Sequence, residues 1–252
     1  MVSKVEKILE NKSSKYYIQD ASKDYHCRDG MIPAAELKKS LAKSSKGAEF
    51  AVYDPSFLDV YEKINRGPQI VSLKDIGSII AHTGISKDSV VVDSGAGSGA
   101  LCCFLAHIAK KVTSYELRED FFKIASSNKS LLNLKNLTIK HQDITLGIDE
   151  KNVDLITLDL PAPWLVVAHA VASLKQGGFL VNYSPTIPQV SDFVEKCLEH
   201  SELIHLMTVE ITEREWDVDK RKLRPKTSII NHTGFISFMR KIYGTQGKKK
   251  IS

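Results

Sequence analysis

VVVDSGAGSGAL, residues 90–101, carries the reading of this 252-residue chain. A run of β-branched residues ends in Asp93, a glycine-rich loop follows, and an apolar helical pattern begins after it. That order is strand, tight turn, helix. Gly95, Gly97 and Gly99 accept positive φ and let a ligand approach the backbone with no Cβ in the way. The loop feeds a helix start, whose unpaired N–H groups can hold an anionic group. Without a ligand, glycines at this spacing would only add to the entropy lost on folding. The stretch predicts a nucleotide-like ligand seated on an α/β sheet.

Two ligands fit the spacing. As G-x-G-x-x-A (Gly95, Gly97, Ala100) the loop matches a dinucleotide fingerprint. As D-x-G-x-G-x-G, beginning at Asp93, it matches the loop of S-adenosylmethionine-dependent methyltransferases. Electrostatics separates them: Asp93 repels a pyrophosphate, whereas the ammonium and sulfonium of S-adenosylmethionine are drawn to a carboxylate.

The strand ends that follow extend the pattern. KVTSYE (Lys111–Glu116) ends in Glu116, where an acid accepts from ribose hydroxyls. NAD enzymes share that feature. After a helix over 119–132 and a strand over 137–140 comes Gln142-Asp143-Ile144. Asp143 is placed to accept from an adenine amine with Ile144 against the ring, or else it is a turn cap. VDLITL (Val153–Leu158) runs into Asp159-Leu160-Pro161-Ala162-Pro163-Trp164. A carboxylate ending a central strand beside the glycine loop lies where open α/β sheets bind ligands. The prolines stiffen the loop. The plain alternatives are a solvated turn for Asp159 and a packing role for Trp164.

These residues bring the chain to a family. It resembles tRNA (adenine-N1)-methyltransferases of the archaeal and bacterial type, which act on T-loop adenosine 57/58. The matching segments are RGPQIVSLKD (66–75), VVDSGAGSGAL (91–101), SYELRE (114–119), LDLPAPW (158–164), GGFLVNYSPTIPQV (177–190), EREW (213–216) and RPKTSIINHTGFISF (224–238). The resemblance implies a Rossmann-like seven-stranded sheet with a small N-terminal β domain that helps bind tRNA. It implies S-adenosylmethionine as cofactor, held by Gln69, Asp93, Gly95, Gly97, Ser98, Gly99, Ala100, Leu101, Glu116, Asp143 and Asp159, with no metal. Asp159 and Tyr183 are the catalytic candidates, and a homotetramer is implied. One departure stands out: family members often carry an aromatic residue or His where this chain has Ser72. Ser72 cannot stack on a base, which leaves Tyr183 as the platform.

Composition agrees. The chain is 42% hydrophobic and 26% charged with net charge +5, as suits a globular protein with an RNA partner. Lys38–Lys46 reads as a basic, Ser-rich loop that is either an RNA contact or a solvated turn. Its four cysteines, at 27, 102, 103 and 197, include no CxxC, and Cys102 and Cys103 read as small core residues. With no signal peptide and no long apolar span, the expected location is cytoplasmic. The expected domains are 1–60, a β-rich tRNA-binding module; 61–245, the catalytic α/β domain; and 246–252, a basic tail. The segment 59–80 reads as helical, 163–174 and 187–199 as helices, 179–183 as the fifth strand, and 203–213 with 233–242 as a final antiparallel pair. Three alternatives remain: a methyltransferase for another substrate, a non-catalytic tRNA-binding subunit of the same fold, and an NAD-dependent oxidoreductase.

Overall fold

The computed structural model describes residues 4–67, 70–227 and 232–242. Gln69 and the basic tail 246–252 lie outside these residues. The chain divides into two compact units, Met1–Asn65 with Ser130–Asn133, and Arg66–Lys129 with Leu134–Ser252.

The first unit is built from β1 (Lys7–Glu10), β2 (Lys15–Ile18), β3 (Tyr25–Cys27), β4 (Gly30–Ile32), β5 (Leu41–Lys43), β6 (Glu49–Tyr53) and α1 (Phe57–Tyr61). Four strands form a sheet in the order β2-β1-β6-β5, and β3 and β4 make a separate hairpin. Period-2 alternation puts Phe50 and Val52 of β6 inward, against Leu9, Ile18, Ile32 and Leu37. The stretch 38–46 is not a plain loop. It carries β5, paired with β6, and Ala42 is buried in the core. A three-residue strand flanked by lysine and serine gives too little periodicity to be seen in sequence. The segment 59–80 is likewise not one helix. Ser56 and Asp59 form a reciprocal capping box that starts α1, and the chain leaves helix after Tyr61. Gly67 precedes a proline, which biases it out of helix.

The second unit begins with α2 (Leu73–Thr83) and β7 (Val90–Ser94), then α3 (Ala100–Ile108), β8 (Lys111–Glu116), α4 (Glu119–Leu131) and β9 (Leu137–His141). It continues through β10 (Val153–Leu158), α5 (Val167–Ser173), β11 (Leu174–Ser184), α6 (Ile187–Leu198), β12 (Leu203–Glu210), the hairpin β13 (Trp216–Asp219) and β14 (Lys222–Pro225), and β15 (Phe235–Lys241). Seven strands form one sheet in the order β12-β15-β11-β10-β7-β8-β9. The pairs from β11 through β9 are parallel, and β15 runs antiparallel between β11 and β12. The chain therefore walks outward from β7 through β8 to β9, then restarts on the other side at β10. That reversal puts a crevice at the carboxyl ends of β7 and β10. The central strands are nearly continuous apolar runs, as strands covered on both faces must be: Val91, Val92, Leu155, Ile156, Leu180 and Val181 are all buried.

The 163–174 helix is shorter than its sequence suggests. Pro163–Val166 is a 3-10 turn and α5 stops at Ser173, so β11 begins at once with Leu174. Lys241 of β15 explains how the junction holds. Its side chain is buried, and Nζ donates to the carbonyls of Val171 at 2.5 Å and Leu174 at 2.7 Å, satisfying acceptors that the helix end leaves open. Burial pushes that ammonium below its usual range.

Gly99 stands at the N-cap of α3 with φ +83°, and a Cβ there would lie 3.2 Å from Cβ of Ala125 on α4. Gly84 ends α2 with φ +63° and meets nothing within 4 Å. Gly84→Ala therefore costs the backbone term alone, about 1 kcal/mol, whereas Gly99→Ala costs about 2 kcal/mol or more because α3 and α4 must also separate. Urea unfolding followed by the fluorescence of Trp164 and Trp216, both in this unit, measures the difference; equal losses would show that the α3–α4 contact yields freely.

Candidate active site

Asp93 closes β7 and lies at the root of the glycine loop. It is 1% exposed, and its two carboxylate oxygens accept from hydroxyls on the neighbouring strands: Ser114 Oγ on β8 at 2.6 Å and Thr157 Oγ1 on β10 at 2.7 Å. Burial pushes its carboxyl up to about 6; the two hydroxyl donors oppose that rise, and the Glu116 charge adds to it. Asp93 thus sits inside the sheet. It acts on anything above the loop through its field, a different placement from the direct ligand contact its sequence position suggests.

The loop amides point at protein acceptors. Gly95 N–H donates to the Asp159 carbonyl at 3.3 Å, Ala96 N–H to the Tyr115 carbonyl at 3.1 Å, and Gly97 N–H to Glu116 Oε2 at 2.8 Å. In return, Asp159 N–H donates to the Ser94 carbonyl at 2.6 Å. The buried Asn128 of α4 supports the far side, its Nδ2 donating to the Ser98 carbonyl at 2.7 Å. Ala100 and Leu101 are buried in the first turn of α3. With amides engaged and carboxylates beneath and beside it, the loop is a poor cradle for a pyrophosphate, which disfavours the dinucleotide reading.

Glu116 ends β8, and Asp143 and Asp159 follow the ends of β9 and β10, all in the parallel part of the sheet. Glu116 accepts from Gly97 N–H through Oε2 and from Arg118 N–H through Oε1, both at 2.8 Å. Each of its oxygens keeps a second lone pair for a hydroxyl. Asp143 caps a 3-10 turn, its Oδ1 accepting from both the amide and the hydroxyl of Thr145. Ile144 is buried in the main apolar cluster, so it packs inside rather than lying open as a ring platform. Asp159 is exposed, yet the surrounding protein still takes water from its carboxyl. Desolvation pushes its carboxyl up to about 7, and the Asp93 charge adds to the rise.

The β10–β11 register pairs Leu158 with Asn182, so Asp159 and Tyr183 are the next residues on adjacent strands. Tyr183 is half-buried, and burial pushes its phenol up to about 12; Thr233 opposes the rise, while the Asp75 and Asp159 charges favour it. Asp75, Lys74, Thr233, Ser114, Thr157 and Asn128 escaped the sequence reading. Asn128 left a trace there, as a polar residue on the inward face of α4, one turn after Ala125. Trp164 is half-buried in the 3-10 turn after the loop. Among the described residues, no cluster of three or more His, Cys, Asp or Glu is placed to hold a metal ion, and no helix is long and apolar enough to cross a membrane.

Comparison with known proteins bears on this site. Residues 62–234 match the family model described as the tRNA methyltransferase complex GCD14 subunit. The chain is 32% identical to the tRNA (adenine(57)-N(1)/adenine(58)-N(1))-methyltransferase TrmI of Methanocaldococcus jannaschii, over 92% of this chain and 93% of that one. Among solved structures, a SAM-dependent O-methyltransferase from Thermotoga maritima superimposes with TM-score 0.83 at 30% identity, covering 98% of this chain and 96% of its own. The tRNA (m1A58) methyltransferase TrmI of Aquifex aeolicus superimposes with TM-score 0.76 at 23% identity, over 96% and 98% of the two chains, and shares the fold.

Asp93 gives a pH test of the site's construction. Its folded-state carboxyl, at about 6, lies above the ordinary 3.8, so the folded state holds the proton to higher pH than the unfolded chain does. Stability from this group is present below about pH 4 and is lost as pH rises through about 6. The stability of wild type minus that of Asp93→Asn should therefore fall across that window in urea titrations. A difference that grows with pH would mean the ionised carboxylate is the favoured buried form.

Proposed function

The chain belongs to the tRNA methyltransferase family of the GCD14 subunit, and from this we propose that it transfers a methyl group from S-adenosylmethionine to N1 of adenosine 57/58 in the T loop of tRNA. The observation that carries the reading is the 32% identity to an adenosine N1-methyltransferase across 92% of the chain, which spans both compact units. The non-catalytic alternative is disfavoured because Asp93, Glu116, Asp143 and Asp159 are all retained.

S-adenosylmethionine supplies the activated methyl on a sulfonium. The residues present suit it: Glu116 has lone pairs for ribose hydroxyls, Asp143 has acceptor capacity beside the adenine position, and the acids around Gly95, Gly97 and Gly99 favour a cation. Ser98, Ala100 and Leu101 shape the turn that receives it. Gln69 completes the set by resemblance.

Asp159 is proposed as the group that handles the target base. Adenine N1 needs no deprotonation to attack, because its lone pair already lies in the ring plane. The demands on the protein are alignment and charge. Asp159 accepts from the N6 amine, which orients the ring, and its negative charge gains value as the base becomes cationic. Tyr183, next to it on the adjacent strand, offers the stacking face. The adenine edge is hidden in folded tRNA, so the base must be extruded to reach them. The first unit is proposed to help bind tRNA, and the same reading carries a homotetramer in the cytoplasm.

Mass spectrometry of T-loop fragments from tRNA incubated with enzyme and S-adenosylmethionine tests the function. One added methyl on the adenine ring of residue 57 or 58 is expected; a methyl on an oxygen, or none, would overturn it. Glu116→Ala should weaken S-adenosylhomocysteine binding about a hundredfold in calorimetry, since hydrogen bonds to a charge contribute roughly 1.5–3 kcal/mol each.

Asp159→Ala should cut the single-turnover rate about a hundredfold or more while leaving tRNA affinity largely intact. Asp159→Asn keeps an acceptor oxygen and loses the charge. A rate near wild type in Asp159→Asn assigns orientation, and a rate like Ala assigns charge or proton removal. Where the charge or proton removal carries the step, the carboxylate must be ionised, so the rate at low S-adenosylmethionine should rise through about pH 7, and saturating cofactor should move that inflection lower. Asp159→Asn should lose the inflection.

A further inference from the structure

Asp75 near the start of α2 is fully buried, and nothing in methyl transfer as described above uses it. Its Oδ1 accepts from Lys74 Nζ at 2.8 Å, and its Oδ2 accepts from Ser72 Oγ at 2.8 Å and Thr233 Oγ1 at 2.7 Å. Lys74, with its side chain 7% exposed, also donates to Thr233 Oγ1 at 2.6 Å. The one Thr233 hydroxyl proton therefore goes to Asp75 while its oxygen accepts from Lys74. Burying an ion pair is a poor way to gain stability, because desolvation offsets most of the attraction. Its return here is geometric: it pins the segment 232–235 to the start of α2, across more than 150 residues of chain.

That segment is what Tyr183 rests on. A Cβ added at Gly234 would lie 2.5 Å from Cζ of Tyr183 and 2.8 Å from its hydroxyl oxygen, so the hydroxyl end of the ring rests against bare backbone. Two residues on, Ile236 of β15 pairs with Tyr183 of β11. His232, at the other end, bonds the Pro185 carbonyl through Nε2 at 3.0 Å and Glu210 through Nδ1 at 2.6 Å, which anchors the segment to the chain just after β11 and to β12. The Tyr183 ring is thus bounded by its own strand and by Gly234, the residue that follows Thr233.

We propose that Lys74 and Asp75, acting through Thr233, are positioning residues that set the Tyr183 ring and hydroxyl for the target adenine beside Asp159. Ser72 belongs to the same device: it gives its hydroxyl to Asp75 and so contributes to holding the platform that it cannot itself provide. This rests on the reading of Tyr183 as the base platform.

A mutant cycle on single-turnover methylation of tRNA at saturating cofactor tests it. Thr233→Val keeps the shape, leaves Lys74 and Asp75 to each other, and removes the hydroxyl. It should slow the step about tenfold while S-adenosylhomocysteine affinity stays within about twofold, and Thr233→Ser should restore most of the rate. In a Tyr183→Ala background, Thr233→Val should cost little more, because the ring it positions is already gone. Additive losses, or a wild-type rate in Thr233→Val, would sink the positioning role. Should Thr233→Val fail to fold, Asp75→Asn through the same cycle decides between the same outcomes. A wild-type enzyme inactive on tRNA would overturn the methyl-transfer reading instead, so the two failures are distinct.

Discussion

One buried carboxylate organises this molecule. Asp93 takes a hydroxyl from each neighbouring strand and so ties β7 to β8 and β10 at the point where the sheet reverses its order of assembly. A carboxylate is costly to bury without donors, and Ser114 and Thr157 are the donors that make the position tenable. Directly above it, Gly95 N–H donates to the Asp159 carbonyl and Asp159 N–H donates to the Ser94 carbonyl, which links the ends of β7 and β10. The separation between the glycine loop and the Asp159 backbone is therefore set by main-chain pairing, which side-chain motion cannot loosen. Rigid placement of this kind lets a small number of groups align two reactants.

The same arrangement creates an electrostatic problem. Asp93 raises the carboxyl of Asp159, and Glu116 raises that of Asp93. The site proposed to take a polyanionic RNA is in this way lined with acids. The difficulty resolves if the first occupant is a cation. A sulfonium and an ammonium among these carboxylates offset their mutual repulsion and the repulsion of an incoming phosphate backbone. On the proposed function, charge complementarity to the cofactor, rather than to the nucleic acid, shapes the bottom of the crevice.

Sequence conveyed the parts governed by local patterns. The apolar run into Asp93, the glycines and the strand-end acids each leave a signature within a dozen residues, and the seven-stranded sheet follows from them together with the family likeness. What sequence could not show depends on distant pairing. Leu41–Lys43 is a strand only because Glu49–Tyr53 pairs with it. The bonds of Ser114 and Thr157 to Asp93 join three strands, and neither hydroxyl announces itself in a β-branched run. Thr233 and Asp75 meet across most of the catalytic unit. Asp143 shows the converse: the ordinary turn-cap reading is realised, with Thr145 as the capped residue.

β15 enters the sheet between β11 and β12, and it brings Lys241 to the end of α5 and follows directly on Thr233 and Gly234. A ribosome releases chains from the N-terminus, and long-range pairings close only when both partners are free. During synthesis, β11 therefore waits with one edge unpaired, and β12 has no neighbour in the sheet, until some 240 residues have emerged. The first unit and the run from β7 to β10 have their pairing partners much earlier. On the proposed function, a nascent chain carries a nearly complete cofactor crevice without a finished platform for the base, and the ability to receive RNA productively arrives last, in a single closing event.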